Sequence, residues 1–201
     1  MTSRRRSSRS AFTIIEMTIA LVLVTVVVGN VYWLLQKSTV AMGDEGSSYD
    51  LDTQARRAMD RICMALIGAA NNELYVPTSK PSYTSYLNYK ESLGLDASGN
   101  NQLSDLQRIE FTTTNGGEVV WSQNPGATDE KRVVFAKNVA TLLQDELTNG
   151  VDDNANGIID ETGFALEKNG KSIIVRLTIR RTLQDGRTLS RTLAETVTCR
   201  N

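Results

Sequence analysis

A single apolar segment, residues 12–35, constrains this chain more than any other feature of its sequence. Among residue types that are unfavourable in lipid, only Glu16, Gly29 and Asn30 interrupt it. As an α-helix the segment spans about 36 Å, which is enough to cross a hydrocarbon core about 30 Å thick. The sequence therefore predicts a transmembrane helix over residues 12–35 with one carboxylate inside it.

The charges that flank this segment predict its orientation. Arginines stand at positions 4, 5, 6 and 9, and acidic residues at 44, 45, 50 and 52 follow the segment with only Lys37 between. Because basic flanks tend to stay in the cytoplasm, we expect a cytoplasmic N-terminus. Everything after Leu35 should then lie outside the cytoplasm.

Two ordinary explanations account for only part of the pattern. A cleaved secretory signal has an apolar region of about 7–15 residues that ends in a small-residue site. This run is longer, and residues 28–33 form a poor cleavage site. A plain signal anchor explains the length and the arginines but not Glu16, because a charge at the centre of a membrane helix costs roughly 2.5–3.5 kcal/mol, and less near the interface.

A third interpretation explains the whole pattern. Residues 11–18 read AFTIIEMT, which resembles the processing signal of type IV pilins and type II secretion pseudopilins. In that family a basic leader ends in a small residue, usually glycine, and a phenylalanine and a glutamate stand at mature positions one and five. Ala11 takes the place of that glycine here, Phe12 is the first mature residue and Glu16 is the fifth.

The resemblance implies a processing route and a set of partners. Prepilin peptidase would cut between Ala11 and Phe12, and the new Phe12 amine would be methylated. Glu16 of one subunit would then compensate the N-terminal amine of a neighbour during assembly. The implied partners are other pilin or pseudopilin subunits, contacted through the N-terminal helix, together with the peptidase and the bacterial inner membrane.

The rest of the chain predicts an α+β fold of the pilin-like plan, in which a long N-terminal helix packs on an antiparallel sheet. We expect a leader at 1–11, the transmembrane helix at 12–35, a continuation of that helix at 36–72 and a periplasmic domain at 73–201.

Glycines and serines at 43–48 predict a bend or thinning of the helix. After them, apolar residues recur at helical spacing and predict a face packed on the sheet; they are Leu51, Ala55, Ala58, Met59, Ile62, Cys63, Leu66 and Ile67.

Strand signals dominate the C-terminal half. Alternation over 108–114 and 118–122 around an Asn-Gly-Gly turn predicts a hairpin, and 172–182 with 188–198 predicts a second one. Residues 132–135 read as a strand, and 138–143 as a strand or a short helix. Tyrosines at 83, 86 and 89 suggest irregular or short strand structure.

Within the pilin-like family, the chain is most similar to the J-type minor pseudopilins. The similarity lies in the helical stretch 54–66, these late strands and the chain end at 198–201.

An acidic loop at 152–161 predicts a weak calcium site. It reads DDNANGIIDE and matches the first nine positions of an EF-hand-type loop, with oxygens at every second residue and Gly157 at the sharp turn. We expect Ile159 to anchor the loop, and an affinity on the order of 10⁻⁴–10⁻³ M. Gly163 stands where a bidentate glutamate closes such loops, and a solvated Asx-rich turn is the alternative. The candidate ligands are Asp152, Asn154, Asn156, Ile158, Asp160 and Glu161.

Composition narrows the classes of function. The chain has no histidine, so a histidine-dependent triad or a zinc site with histidine ligands is impossible within it, and no catalytic residue is predicted. Removing the arginines of the first eleven residues leaves 18 basic against 23 acidic side chains, a net charge of −5, which argues against nucleic-acid binding. Cys63 and Cys199 are a candidate disulfide between helix and sheet, with free buried thiols as the alternative.

Three hypotheses about function follow. The first is a non-catalytic subunit of a secretion or pilus-type filament. The second is a membrane-anchored, calcium-binding exported module that never assembles. The third is an anchored enzyme, for which the sequence offers no constellation of residues.

Overall fold

The computed structural model describes residues 13–74, 83–183 and 185–199, apart from the side chains of Val40 and Glu73. The predicted leader and the processing residues Ala11 and Phe12 lie outside these ranges. The chain divides into two units, with the boundary between Gly46 and Ser47.

The first unit contributes the apolar start of a single helix, α1, which runs from Ile14 to Ile67. Its large apolar side chains between Ile14 and Leu35 are each 51–85% exposed. Hydroxyl groups in this stretch bond back to the helix itself: Thr18 donates to the Ile15 carbonyl and Thr25 to the Leu21 carbonyl. This helix is long and apolar enough to cross a membrane, and these two hydroxyls find their partners within the helix, as a lipid environment requires.

The helix differs from its prediction in two places. Its backbone stays helical through residues 43–48, where the sequence suggested a bend or thinning. It ends at Ile67 rather than near 72, because the chain then pairs with the segment that follows Tyr89. The Ser92 amide donates to the Gly68 carbonyl, and the Ala70 amide donates to the Lys90 carbonyl.

In the second unit, one face of α1 belongs to the hydrophobic core. The predicted stripe from Leu51 to Leu66 is buried, with each member at most 9% exposed, whereas Ile67 is 47% exposed and was assigned to this face wrongly. The stripe joins buried residues of the strands in one cluster that includes Tyr89, Phe164 and Leu177. The helix therefore packs on antiparallel sheets, as the α+β prediction requires.

Nine strands form three antiparallel sheets within the described ranges. The sheets have the orders β1-β4-β5-β6, β2-β3 and β7-β8-β9. Thr84 and Leu166 exchange two backbone hydrogen bonds and so link the first sheet to the third. The strands are β1 (Tyr86–Tyr89), β2 (Ser92–Leu95), β3 (Asn101–Leu103), β4 (Gln107–Thr112), β5 (Glu118–Gln123), β6 (Lys131–Lys137), β7 (Phe164–Asn169), β8 (Ser172–Thr182) and β9 (Thr188–Thr198).

Both predicted hairpins are confirmed. β4 and β5 pair across a turn in which Asn115, Gly116 and Gly117 all have positive φ. A Cβ on Gly117 would collide with the Val139 carbonyl oxygen, so glycine is required there for space as well as for conformation. β8 and β9 pair over their full length, from Ser172 opposite Thr198 to Thr182 opposite Thr188.

Two parts of the strand prediction need correction. Residues 138–143 form neither a strand nor a helix; they contribute two isolated bridges, Val139 to Ile179 and Leu142 to Thr162. β7 was not predicted. It pairs with β8 from Phe164 opposite Leu177 to Asn169 opposite Ser172, and it follows the acidic loop directly.

Candidate assembly and cation sites

The start of α1 is closed by a capping box that holds Glu16. Thr13 is the N-cap residue: its backbone amide and its hydroxyl both donate to Glu16 Oε2, at 3.0 and 3.1 Å. In return, the Glu16 amide donates to the Thr13 hydroxyl at 3.3 Å. This reciprocal arrangement satisfies two amides that a helix start otherwise leaves without partners.

The capping box gives Glu16 a local role that the sequence interpretation missed. Its signal was present in the Thr-x-x-Glu spacing of residues 13–16. Both contacts use the same carboxylate oxygen, and a carboxylate can accept about four hydrogen bonds. Capping therefore leaves Glu16 with acceptor capacity for a second group.

The acidic loop, residues 152–161, folds as a series of tight turns around its own side chains. Asp152 accepts hydrogen bonds from the Asn156 amide at 3.1 Å and from the Gly157 amide at 2.8 Å. Asn154 Oδ1 also accepts from the Asn156 amide, and Asn156 Oδ1 accepts from the Ile158 amide. Gly157 has φ 90°, which explains the glycine at this turn.

The structure places the side chain of Ile158, rather than that of Ile159, in the interior. Ile158 is 3% exposed and anchors the loop in the interior, whereas Ile159 is 42% exposed. The prediction that Ile159 is the anchor is therefore wrong. The error arises because the turns before these residues determine which side chain points into the interior. Such turns have no regular periodicity from which the direction could be predicted.

Asp160 joins the two ends of the loop region. Its carboxylate accepts hydrogen bonds from the Asn149 and Gly150 amides at 3.0–3.1 Å. Its backbone carbonyl accepts from the Tyr83 hydroxyl at 2.9 Å, and the same hydroxyl accepts from the Thr162 amide. Asp160 thus fixes the loop from both sides.

Two buried glutamates contact the turn at residues 154–156. Glu161, which is 0% exposed, accepts a hydrogen bond from the Asn156 side-chain amide through Oε1. Glu146, which is 5% exposed, accepts from the Asn154 amide at 3.2 Å through its own Oε1. The Oε2 atoms of both glutamates are buried and have no hydrogen-bond partner among the described residues.

The electrostatics of Glu146 follow from burial and from like charge. Burial raises the pKa of Glu146, and the negative charges of Glu161 and Asp153 raise it further. The Asn154 and Asp160 amides act in the opposite direction because they stabilise the carboxylate. Burial and the neighbouring negative charges outweigh these amides, and ionisation of Glu146 is disfavoured.

Gly163 explains why the loop lacks a ligand at position twelve. A Cβ on this residue would collide with the backbone of Ala140, so no side chain fits there. Glu161 stands two positions earlier and is buried at the turn. Glu146 lies six residues before the loop and belongs to no motif, and for this reason sequence reasoning did not find it.

The predicted cation site has oxygen atoms but is not preformed as a cluster of anions. Within the described ranges, no three His, Cys, Asp or Glu side chains are grouped closely enough to hold a metal ion. The oxygen atoms near the two glutamates also include those of asparagine side chains, which are neutral ligands and not anions. The calcium prediction therefore stays a prediction.

The two cysteines are buried free thiols in this structure. Cys63 Sγ donates to Glu195 Oε2 on β9 at 3.5 Å. Burial, followed by this contact, raises the pKa of Cys63 to about 12, and burial also raises the pKa of Cys199. The disulfide proposed for this pair is not formed here and stays a prediction.

Comparison with known proteins gives no family assignment. No family model, curated protein or solved structure matches the chain.

Proposed function

We propose that this chain is a non-catalytic structural subunit of a type II secretion or type IV pilus-type filament, most similar to the J-type minor pseudopilins. In this proposal prepilin peptidase removes residues 1–11, and the apolar part of α1 holds the protein in the bacterial inner membrane. The folded domain lies in the periplasm. The observation that carries the proposal is one continuous helix with Glu16 in its first turn, an exposed apolar segment and a face packed on antiparallel sheets.

The exposed part of α1 supports this proposal because it requires a covering. Sixteen large apolar side chains between Ile14 and Leu35 are more than half exposed. Burying each large aliphatic side chain is worth about 1.5–3 kcal/mol, so water is an unfavourable environment for this segment. Lipid covers it before assembly, and in a filament the helices of neighbouring subunits replace the lipid.

Glu16 then has two roles that act at different stages. In the isolated subunit it caps its own helix through Thr13. In the filament its charge pairs with the methylated Phe12 amine of a neighbour, because leaving either charge unpaired at low dielectric costs several kcal/mol. The pairing fixes the position of one subunit along its neighbour when the two dock.

A matched set of variants separates these roles. Glu16→Gln keeps the capping box, since glutamine serves at this position as well as glutamate, but it removes the charge. Thr13→Ala removes the capping hydroxyl, at about 1 kcal/mol, but it keeps the charge. We expect Glu16→Gln to be cleaved normally and to be lost from filaments, and Thr13→Ala to be cleaved and incorporated.

The measurement is made in cells that carry the partner subunits. Cleavage is followed by the loss of the leader, and incorporation by cross-linking into high-mass products recovered from the membrane. Normal incorporation of Glu16→Gln would contradict the docking role. If Thr13→Ala were lost from filaments at the same time, capping would be left as the function of Glu16.

The second candidate function is an exported, membrane-anchored calcium-binding module that does not assemble. The buried carboxylates at the acidic loop favour it. It is distinguished by an uncleaved N-terminus and by the absence of cross-linked products with any Glu16 or Thr13 variant.

A further inference from the structure

The unpartnered oxygens of Glu146 and Glu161 are the least satisfied polar atoms of the loop region. Both residues are more than nine-tenths buried, and each uses one oxygen on the turn at 154–156 while its second oxygen has no partner within the described ranges. An unpaired carboxylate away from water is costly, and a second one beside it adds repulsion. Buried charges are normally paired or coordinate a metal ion, so this pair is a candidate for binding a cation.

We propose that Glu146 and Glu161 bind Ca²⁺ between them, with Glu146 supplying the acidic ligand that the loop motif lacks. Asn154 and Asn156 supply neutral oxygens from the same turn. The side-chain oxygens of these two residues already accept backbone hydrogen bonds, but each such oxygen retains a second lone pair. This site depends on the side-chain arrangement at the loop and is independent of filament assembly.

The chemistry of the donors selects calcium among the common cations. All of them are carboxylate or amide oxygens, which are the ligands of hard cations, and the chain contains no histidine. Ca²⁺ accepts six to eight oxygens in flexible geometry, whereas Mg²⁺ demands a small octahedron and keeps several waters. Two carboxylates at the centre of the site neutralise the charge of one divalent ion.

The position of Glu146 gives the cation a structural effect. Glu146 lies in the segment that connects β6 to the loop, and Glu161 directly precedes the segment that enters β7. The Leu143 amide donates to the Glu161 carbonyl at 3.0 Å, so these two chain segments are already adjacent. A shared ion joins the entry and the exit of the loop and opposes their separation.

The test uses the full-length protein in detergent micelles, with CaCl₂ and MgCl₂ as probes. Thermal unfolding and calorimetric titration are compared for the wild type, Glu146→Gln, Glu161→Gln and the control Asp145→Asn. Asp145 is exposed, is adjacent to Glu146 and has φ 66°, a conformation that asparagine adopts readily. The control therefore removes a neighbouring charge without touching the proposed site.

We expect the order of thermal stability between the wild type and the two glutamine variants to reverse when calcium replaces the chelator. In chelator, each glutamine variant should be at least as stable as the wild type, because the amide keeps the hydrogen bond at Oε1 and removes a buried charge. In millimolar calcium the wild type and Asp145→Asn should gain about 5 °C in Tm. Both glutamine variants should lose most of that gain and bind calcium at least tenfold more weakly.

Three outcomes would overturn the proposal. The first is a wild-type protein with neither calorimetric heat nor a Tm increase in 10 mM CaCl₂. The second is a calcium response of Glu146→Gln equal to that of the wild type, which would remove Glu146 from the site. The third is a glutamine variant that is less stable than the wild type in chelator, which would show that the carboxylate has a structural partner and no need of a cation. An equal response to magnesium would contradict the selectivity argument.

Discussion

Burial controls the chemistry of Cys63. The residue is 9% exposed on the inner face of α1, and its thiol donates a hydrogen bond to Glu195 of β9. An apolar environment and a neighbouring carboxylate both disfavour the thiolate, so the pKa rises from an ordinary value of 9.0 to about 12. Only the thiolate is a good nucleophile, and the folded protein should protect this cysteine.

Thiol labelling tests this protection. We expect alkylation of the native protein at pH 8 to be at least a hundredfold slower than that of an unfolded control. Unfolding without reductant should then release two reactive thiols. Because the unfolded thiol ionises near pH 9 and the folded one does so far higher, the contribution of this thiol to stability is complete below pH 9 and falls as the pH rises above it. Rapid native labelling would contradict burial, and the absence of thiols after unfolding would establish the Cys63–Cys199 bridge.

Gly163 offers a second test at the residue scale. Its Cα lies so close to the Ala140 backbone that a Cβ has no space, and the collision involves main chain that cannot rotate away. We expect Gly163→Ala to lower the free energy of unfolding by about 2–3 kcal/mol. Denaturant unfolding measures this loss, and a change below about 0.5 kcal/mol would show that the two segments are further apart.

The sequence anticipated part of the contacts at the acidic loop. The spacing of residues 152–161 pointed to Glu161 and the asparagine side chains, because they belong to a local motif. It did not find Glu146, which the fold brings to the turn from outside the motif. It also misassigned Ile158 and Ile159, because the positive φ values of Ala155 and Gly157 change the side-chain facing within a few residues.

At the scale of elements, α1 is a single helix despite two glycines near its middle. A Cβ added to Gly43 or to Gly46 would meet no other atom within 4 Å, so neither glycine is required by packing within the described chain. The backbone stays helical because hydrogen bonding along the helix does not depend on the side chain. Each glycine weakens the helix locally by about 0.5–1 kcal/mol relative to alanine.

Gly43→Ala should therefore stabilise the middle of α1. We expect amide hydrogen exchange of residues 40–47 to slow by roughly fivefold, which corresponds to about 1 kcal/mol. Gly43→Pro is the opposite control, since proline inside a helix costs about 3 kcal/mol. Unchanged or faster exchange in Gly43→Ala would show that the helix is interrupted at this point.

The strands that were predicted correctly are those whose sequence signals lie close together along the chain. The β4–β5 and β8–β9 hairpins were predicted because alternation and turn residues lie within a short stretch of sequence. β7 and residues 138–143 were not predicted correctly, because their partners are determined by the tertiary fold. Val139 pairs with Ile179, and Leu142 pairs with Thr162, and neither residue carries a local indication of that pairing.

At the scale of the whole molecule, the α+β plan followed from two strong periodicities. The apolar run and the stripe at Leu51–Leu66 predicted the helix, and period-two alternation predicted the antiparallel strands. The three-sheet arrangement could not be predicted, because the Thr84–Leu166 link and the pairing of β1 with β4 depend on contacts distant in sequence. A filament role for this fold is a proposal that rests on Glu16 in the first turn of α1, on the exposed apolar segment that follows it and on the face that packs on the sheets.

The mature N-terminus tests that proposal most directly. The protein is purified from membranes of the cells that produce it, and its N-terminal peptide is identified by mass spectrometry. Ala11→Gly, which restores the residue usual in pilin-like signals, is the control for complete processing. We expect a first residue of Phe12 carrying an N-methyl group. An intact Met1, or a chain that begins near Asn30, would contradict the filament role.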